Sequence, residues 1–363
     1  MRKNLKIAFF GSSLVSAYWN GAATYYRGII RALHDLGHHT TFFEPDAFGR
    51  QQHRDIPNPY WAVVVVYPAT VLGMEEALDQ ARGANVIVKA SGVGVLDAEL
   101  EAAVASLKRP NNIVIFWDVD APATLDRLAK YAADPFHHLI PRYDLILTYG
   151  GGTPVVQAYQ LVGARDCIPI YNALDPHLYF PVSPNPDFAA DLSFLGNRLP
   201  DREARVNEFF VRPAELAPHL DFLLGGSGWD DKQFPDNVKY IGHVFTRDLN
   251  VFNCSTRAVL NISRDSMVRH GFSPATRLFE AAGAGACLIT DSWKGVENFL
   301  EPEYEVLVAE NGAEIATIIE SLSAERARRI GEAARKRVLA HHTYAQRAIM
   351  VERALGSALA NSP

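Results

Sequence analysis

The chain is short of several features that would narrow its class. Its 363 residues include only three cysteines, Cys167, Cys254 and Cys287, widely spaced in apolar surroundings, with no CxxC or Cys/His ligand spacing. They read as buried thiols in a reducing compartment. Long apolar runs are missing too. The longest, "WAVVVVYPA" from Trp61, is far too short to span a bilayer, and no small-residue cleavage site follows the opening "MRKNLKIAFFGSS". Neither charge sign dominates: 35 basic residues face 41 acidic ones, net −6, so no global field would favour nucleic acid or an anionic membrane. The expectation is a cytoplasmic protein whose anionic ligands are held by local features.

What the sequence does have is alternation. Its length is generous for one core and comfortable for two domains. Short β-branched runs alternate with helical patterns, which predicts right-handed βαβ units and parallel sheets. Strands are expected at "KIAFF", "HTTFF", "AVVVVY", "NVIVKA", "NIVIFW", "DLILTY" and "CIPIY". The segment "AATYYRGIIRALHDLG" puts Ile29, Ile30, Leu33 and Leu36 on one helical face and stops at Gly37. Asn172 to Asp187, "NALDPHLYFPVSPNPD", carries four prolines and no period, so it reads as an interdomain linker. Strands then resume at "DLSFLG", "DFLLGG", "NVKYIG", "AVLNIS", "ACLITD" and "EVLVAE", and the chain closes on two helical patterns. The expected organisation is α/β: one sheet domain over 1–174, a second over 188–342 and a terminal helix over 343–363. Ligands of open α/β sheets bind outside the carboxyl ends of the strands, so a cleft between the domains is the expected site.

One stretch concentrates chemistry: "GFSPATRLFEAAGAGACLITD", Gly271 to Asp291. Ser273 followed by Pro274 predicts a helix start, whose amides and dipole suit a phosphate. Glu280 lies seven residues on, roughly 10 Å at about 1.5 Å per residue. That is the span from a diphosphate to a ribose, and a carboxylate accepts well from a vicinal diol. Arg277 shares its face, so a plain surface ion pair is the competing reading. The small residues of "AAGAGA" favour close approach to the sheet instead.

Here the C-terminal half resembles the nucleotide-sugar-binding domain of GT-B glycosyltransferases of the group-1 superfamily, and their branch similar to the spore maturation protein CgeB. The matching stretches are "DLSFLGNRLPDREAR", "VKYIGHV", "LNISRDS", "GFSPATRLFEAAGAGACLITD", "GVENFLEPEYEVLVAEN" and "HHTYAQRA". The resemblance implies two Rossmann-like domains facing across a cleft and a last helix returning to the first domain. It implies that Glu280 binds the donor ribose, that Arg198 and Arg202, with Arg205 as a close substitute, hold the diphosphate, and that His243 sits near the base. Arg264 is a further phosphate candidate. One departure stands out: where many of these enzymes have an acid before Gly-Phe-Gly, this chain reads "RHGFSP", with His270 in place of the acid.

The first half resembles the same enzymes through "KIAFFGSSLVSAYWNGAATYYRGIIRALHDLGHHTTFF", which would set Ser12, Ser13, Gly21 and Ala22 at the cleft. The dinucleotide reading, with Glu44 as ribose acid, lacks the GxGxxG spacing. In "VIFWDVDAP", Asp118 and Asp120 stand just past a buried strand, where an acid can take the proton of an acceptor hydroxyl. A metal-binding DxD, a helix cap before Pro122 and a loop turn are the alternatives. Lys89, Ser91 and the run Tyr149 to Gly152 are expected either on the acceptor side or as plain tight βα turns. The adjacent pairs His137/His138 and His341/His342 diverge, which argues against a metal site. The reading is a metal-independent glycosyltransferase with no cofactor, a nucleotide-sugar donor and a hydroxyl acceptor. Its rivals are an epimerase or hydrolase on the same fold, and a noncatalytic sugar or nucleotide sensor.

Overall fold

The computed structural model describes residues 4–18, 20–200 and 202–360. The chain divides into two compact units. Residues up to Tyr171, with those from Tyr344 onward, form the first, and Asn172–Thr343 form the second.

The first unit is built on seven parallel strands: β1 Lys6–Phe10, β2 His39–Asp46, β3 Val63–Pro68, β4 Val86–Ala90, β5 Ile113–Asp118, β6 Leu145–Thr148 and β7 Cys167–Pro169. Their order is β3-β2-β1-β4-β5-β6-β7, so the order reverses between β1 and β4. Every residue of β4 and β5 is buried, as expected where helices cover both faces of a parallel sheet and apolar residues run continuously. Lys89 interrupts that run. It is fully buried, with Nζ 2.6 Å from Asp97 Oδ1 and 2.8 Å from Ala90 O, so it is an internal ion pair and not a cleft residue.

The predicted first helix spans Ala23–Asp35 and ends where Gly37 takes a φ of +93°. Gly28 on this helix faces Tyr344: a Cβ added there would stand 2.3 Å from the Tyr344 ring. Tyr344 begins the last helix, Tyr344–Ala360, which is thereby seated on the first unit. Arg347 Nε donates to Tyr171 O at 3.2 Å, and His38 Nε2 lies 3.2 Å from Glu352 Oε1.

The second unit repeats the plan with six parallel strands: β8 Ala190–Leu195, β9 Phe222–Gly225, β10 Val238–Tyr240, β11 Thr256–Asn261, β12 Leu288–Asp291 and β13 Leu307–Ala309. Their order, β10-β9-β8-β11-β12-β13, reverses between β8 and β11. All thirteen strands fall on the runs expected from sequence.

The proline-rich segment differs from its expectation. Asn172–Asp187 is part of the second unit, not a free connector. Leu174 is fully buried, its N–H bonding His342 O at 2.7 Å, and Asn250 Nδ2 donates to Leu178 O at 2.8 Å. Prolines remove ladder donors, and apart from an isolated parallel bridge between Leu174 and Thr343 the stretch is satisfied by side-chain and carbonyl partners from neighbouring elements.

Candidate functional site

In the second unit the carboxyl-end loops of β8 and β11 flank the point of order reversal, where a ligand is expected. The loop after β8 is fixed by the loop after β9. Gly196 N–H bonds Gly225 O at 2.9 Å, Arg198 N–H bonds Ser227 O at 2.9 Å, and Trp229 Nε1 donates to Gly196 O at 2.8 Å. The two chains touch so closely that a Cβ on Gly226 would stand 2.2 Å from Gly196 O. Both loops therefore have a set shape.

The residue that joins this region was not singled out from sequence. Asp291, the last residue of β12, is fully buried. It accepts from Ser263 N–H at 3.0 and 3.1 Å, from Ser263 Oγ at 3.1 Å and from Arg205 Nη2 at 2.6 Å. One carboxylate thus ties the ends of β11 and β12 to the helical segment after β8. Burial pushes its pKa up, while Arg205 and the Ser263 donors pull the other way. The signal was an acid closing an apolar strand, the position at which parallel sheets place their polar groups. A cavity of about 560 Å³ opens beside it, lined by Arg205, Asp265, Val268 and Arg269.

The helix carrying Glu280 is Thr276–Gly283, with Ala275 at its N-cap position. It begins later than Ser273, whose buried hydroxyl donates to Gly271 O at 2.9 Å and caps nothing. The reason is the loop before it, where Gly271 and Phe272 both take left-handed φ values of 68° and 47°. Phe272 packs so closely on Gly295 that a Cβ there would stand 2.3 Å from its ring, and its N–H bonds Lys294 O at 2.6 Å. The loop after β12 thus holds the entrance to the helix, and the strain sits beside the candidate site, where such strain concentrates.

Glu280 is half-buried and its Oε1 accepts from Tyr179 Oη at 2.9 Å. Arg277 does not close a direct ion pair with it; the two interact through space only. Desolvation holds the Glu280 carboxyl above the usual glutamate range, against the pull of Arg277 and the Tyr179 hydroxyl. The simple surface ion pair is therefore not what forms, and the second oxygen of Glu280 accepts no hydrogen bond from the described residues.

The arginines expected from the loop after β8 are placed differently from one another. Arg198 is saturated, with Nε and Nη2 on Glu203 at 2.9 and 2.8 Å and Nη1 on Asp231 at 2.7 Å. It would have to break those pairs to reach a phosphate. Arg202 packs under Gly196, its Nη1 2.8 Å from where a Cβ on that glycine would be. Arg205 is the one that lines the cavity. Arg264 precedes the short helix Asp265–His270. His243 is exposed on the loop after β10, edge-on to Phe245 at 4.9 Å.

In the first unit several expectations change. Asp118 is fully buried: Oδ1 accepts from Ser91 Oγ at 2.7 Å and from Asp120 N–H at 3.0 Å, and Oδ2 from Tyr159 Oη at 2.5 Å. Both oxygens are engaged, so it fixes the loops after β4 and β5 and is badly placed as a base. Asp120 is only partly buried. Ser12 and Ser13 are buried, with Ser12 Oγ on Asn20 Oδ1 at 2.9 Å and Ser13 Oγ on Glu44 Oε1 at 3.0 Å. Gly21 is exposed and Ala22 partly so, at the head of the first helix. Glu44 also takes Leu14 N–H and Gln51 Nε2, both at 2.6 Å, which leaves it no part in binding a ribose. Among the described residues no group of three or more His, Cys, Asp or Glu side chains is placed to hold a metal ion. No helix among them is long and apolar enough to cross a membrane.

Residues 202–353 match the family model described as "Glycosyl transferase-like". No curated protein matches the chain in sequence. Solved structures share its fold over nearly its whole length. Sucrose-phosphate synthase from Thermosynechococcus elongatus is 14% identical, covering 99% of this chain and 100% of its own, with a TM-score of 0.70. HepE of Anabaena in complex with UDP-glucose is 15% identical, covering 97% and 100%, at 0.67. AviGT4, a glycosyltransferase involved in avilamycin A biosynthesis, is 18% identical, covering 98% of each chain, at 0.61. The fold is GT-B: two Rossmann-like parallel-sheet domains with the last helix on the first.

Proposed function

We propose that this chain is a glycosyltransferase, related to the CgeB-like branch, which moves a sugar from a nucleotide-sugar donor to an acceptor hydroxyl without a metal or other cofactor. The observation that carries the reading is Glu280. It is a half-buried carboxylate with an uncommitted oxygen, steadied by Tyr179, within the segment that matches the glycosyl transferase-like model. That oxygen, with the remaining lone pair of the one held by Tyr179, suits a ribose diol. Arg277 supplies positive charge for the diphosphate, which gains negative charge as its bond to the sugar breaks, and Arg205 reaches it by giving up Asp265, 3.4 Å away, while keeping Asp291. Asp120 takes the acceptor proton, since the oxygens of Asp118 are already engaged. The three thiols form no disulfide, which fits a reducing cytoplasm.

The test is a thermal-shift panel on the full chain with UDP-glucose first, because HepE was solved with it, followed by GDP- and dTDP-sugars. A donor at a hundred times its Kd stabilises the native state by about 2.7 kcal/mol. No shift with any nucleotide sugar would refute the donor site. Sugar release that needs an added acceptor separates transfer from hydrolysis or epimerisation.

A further inference from the structure

Arg50 lies where ligands bind in an open α/β sheet, and no acid of its own unit is paired with it. The residue is only 6% exposed. Nη1 donates to Ser12 O at 3.1 Å and to Val93 O at 3.3 Å. Those carbonyls belong to the loops after β1 and β4, the two strands between which the first sheet reverses order. Nε is buried with no hydrogen-bond partner, and among the described residues no carboxylate comes within ion-pair distance. The other cations of this region are compensated: Lys89 by Asp97 at 2.6 Å and Arg27 by Asp55 at 2.7 Å. Glu44 acts on Arg50 only through space, its oxygens being held by Ser13, Leu14 and Gln51, and it offsets part of the burial that disfavours the charge.

Phe48 is 56% exposed with a left-handed φ of 56°, an unfavourable setting for a bulky residue on both counts. Its ring centroid lies 5.0 Å from Arg50 Cζ. Gly94 leaves room for that ring, since a Cβ there would stand 2.9 Å from it. At Gly92, with φ +66°, the space a Cβ would take is open.

We propose that Arg50 and Phe48 form a subsite for an anionic polyol, a sugar bearing a phosphate or a carboxylate, whose anion meets the guanidinium while its ring lies on Phe48. That this sugar is the transferase acceptor rests on the functional reading above; the anion site itself rests on Arg50.

Isothermal titration of the full chain with glucose 6-phosphate, glucuronate and glucose tests it, with UDP-glucose titrated in parallel. At least one anionic sugar should bind ten times or more tighter than glucose, and the tighter of the two identifies phosphate or carboxylate as the anion. Arg50→Met should weaken that binding by about tenfold to a hundredfold, the range for a charge-assisted hydrogen bond, and leave UDP-glucose affinity unchanged. Arg50→Lys should retain part of it. Phe48→Ala, on the surface, should weaken glucose 6-phosphate more than inorganic phosphate, a comparison that decides the matter if Arg50→Met does not fold. Equal affinity for glucose and its anionic forms, or full anion affinity in folded Arg50→Met, overturns the subsite. Nucleotide binding without anion preference ends the subsite alone, whereas Arg50-dependent anion binding without any nucleotide binding ends the transferase reading and keeps the site.

Discussion

Replacing Glu280 by glutamine is the most informative single change. The amide keeps the shape and can still accept from Tyr179 Oη, now 2.9 Å from Glu280 Oε1, so packing on the helix is preserved. What is lost is the charge that two ribose hydroxyls would donate to. Each such hydrogen bond to a charged group contributes about 1.5–3 kcal/mol. Because Glu280 is half-buried and not fully dry, the lower end applies to each, giving about 3 kcal/mol for the pair and a rise in nucleotide Kd of roughly a hundredfold. The free protein should unfold within about 1 kcal/mol of the parent. The pH dependence adds a second signature. Desolvation raises the folded pKa of Glu280, so its contribution to the fold is full below the unfolded pKa and declines as pH rises through the folded one. Nucleotide binding requires the ionised form and runs the other way, weakening as pH falls through that raised value and doing so earlier than for an ordinary glutamate. Titration calorimetry with UDP-glucose between acid and neutral pH measures both. A folded Glu280→Gln protein with parental affinity, or a parent whose affinity ignores pH in this range, refutes the ribose assignment.

Asp291→Ala should lower stability by about 3–5 kcal/mol, because it leaves the Arg205 guanidinium and two Ser263 donors without their buried partner; urea unfolding measures this, and a loss under 1 kcal/mol would contradict the hub. Asp118→Asn should cost mainly stability, about 1–3 kcal/mol through the Tyr159 and Ser91 bonds, whereas Asp120→Asn should cost turnover at unchanged donor affinity; the reverse pattern would restore Asp118 as the base. Gly28→Val should detach the last helix from the first unit, since even a Cβ meets the Tyr344 ring; limited proteolysis after Thr343 should accelerate at least tenfold, and unchanged cleavage would contradict that packing.

The strands were legible because parallel sheets covered on both faces write themselves as unbroken apolar runs, and β4 and β5 are the clearest examples. The reach of Asn172–Asp187 was not, because prolines signal only that a ladder is absent; they do not say which unit satisfies the remaining carbonyls. Glu280 was found because a lone acid in a small-residue helix leading into a strand is unusual. Arg198 and Asp118 were found for their positions, but only the folded chain brings up Glu203, Asp231, Ser91 and Tyr159, which already engage them. Asp291 and Arg50 escaped because their meaning is relational. One is defined by three elements it joins, the other by the acid it lacks.

The placement of residues from Tyr344 onward in the first unit makes the second unit, in effect, an insertion within the first. During translation, the opening half must therefore wait with an uncovered surface around Gly28 while the intervening 172–343 stretch is made. That stretch is contiguous and can fold as it leaves the ribosome, so vectorial synthesis should complete the second unit before the one that precedes it.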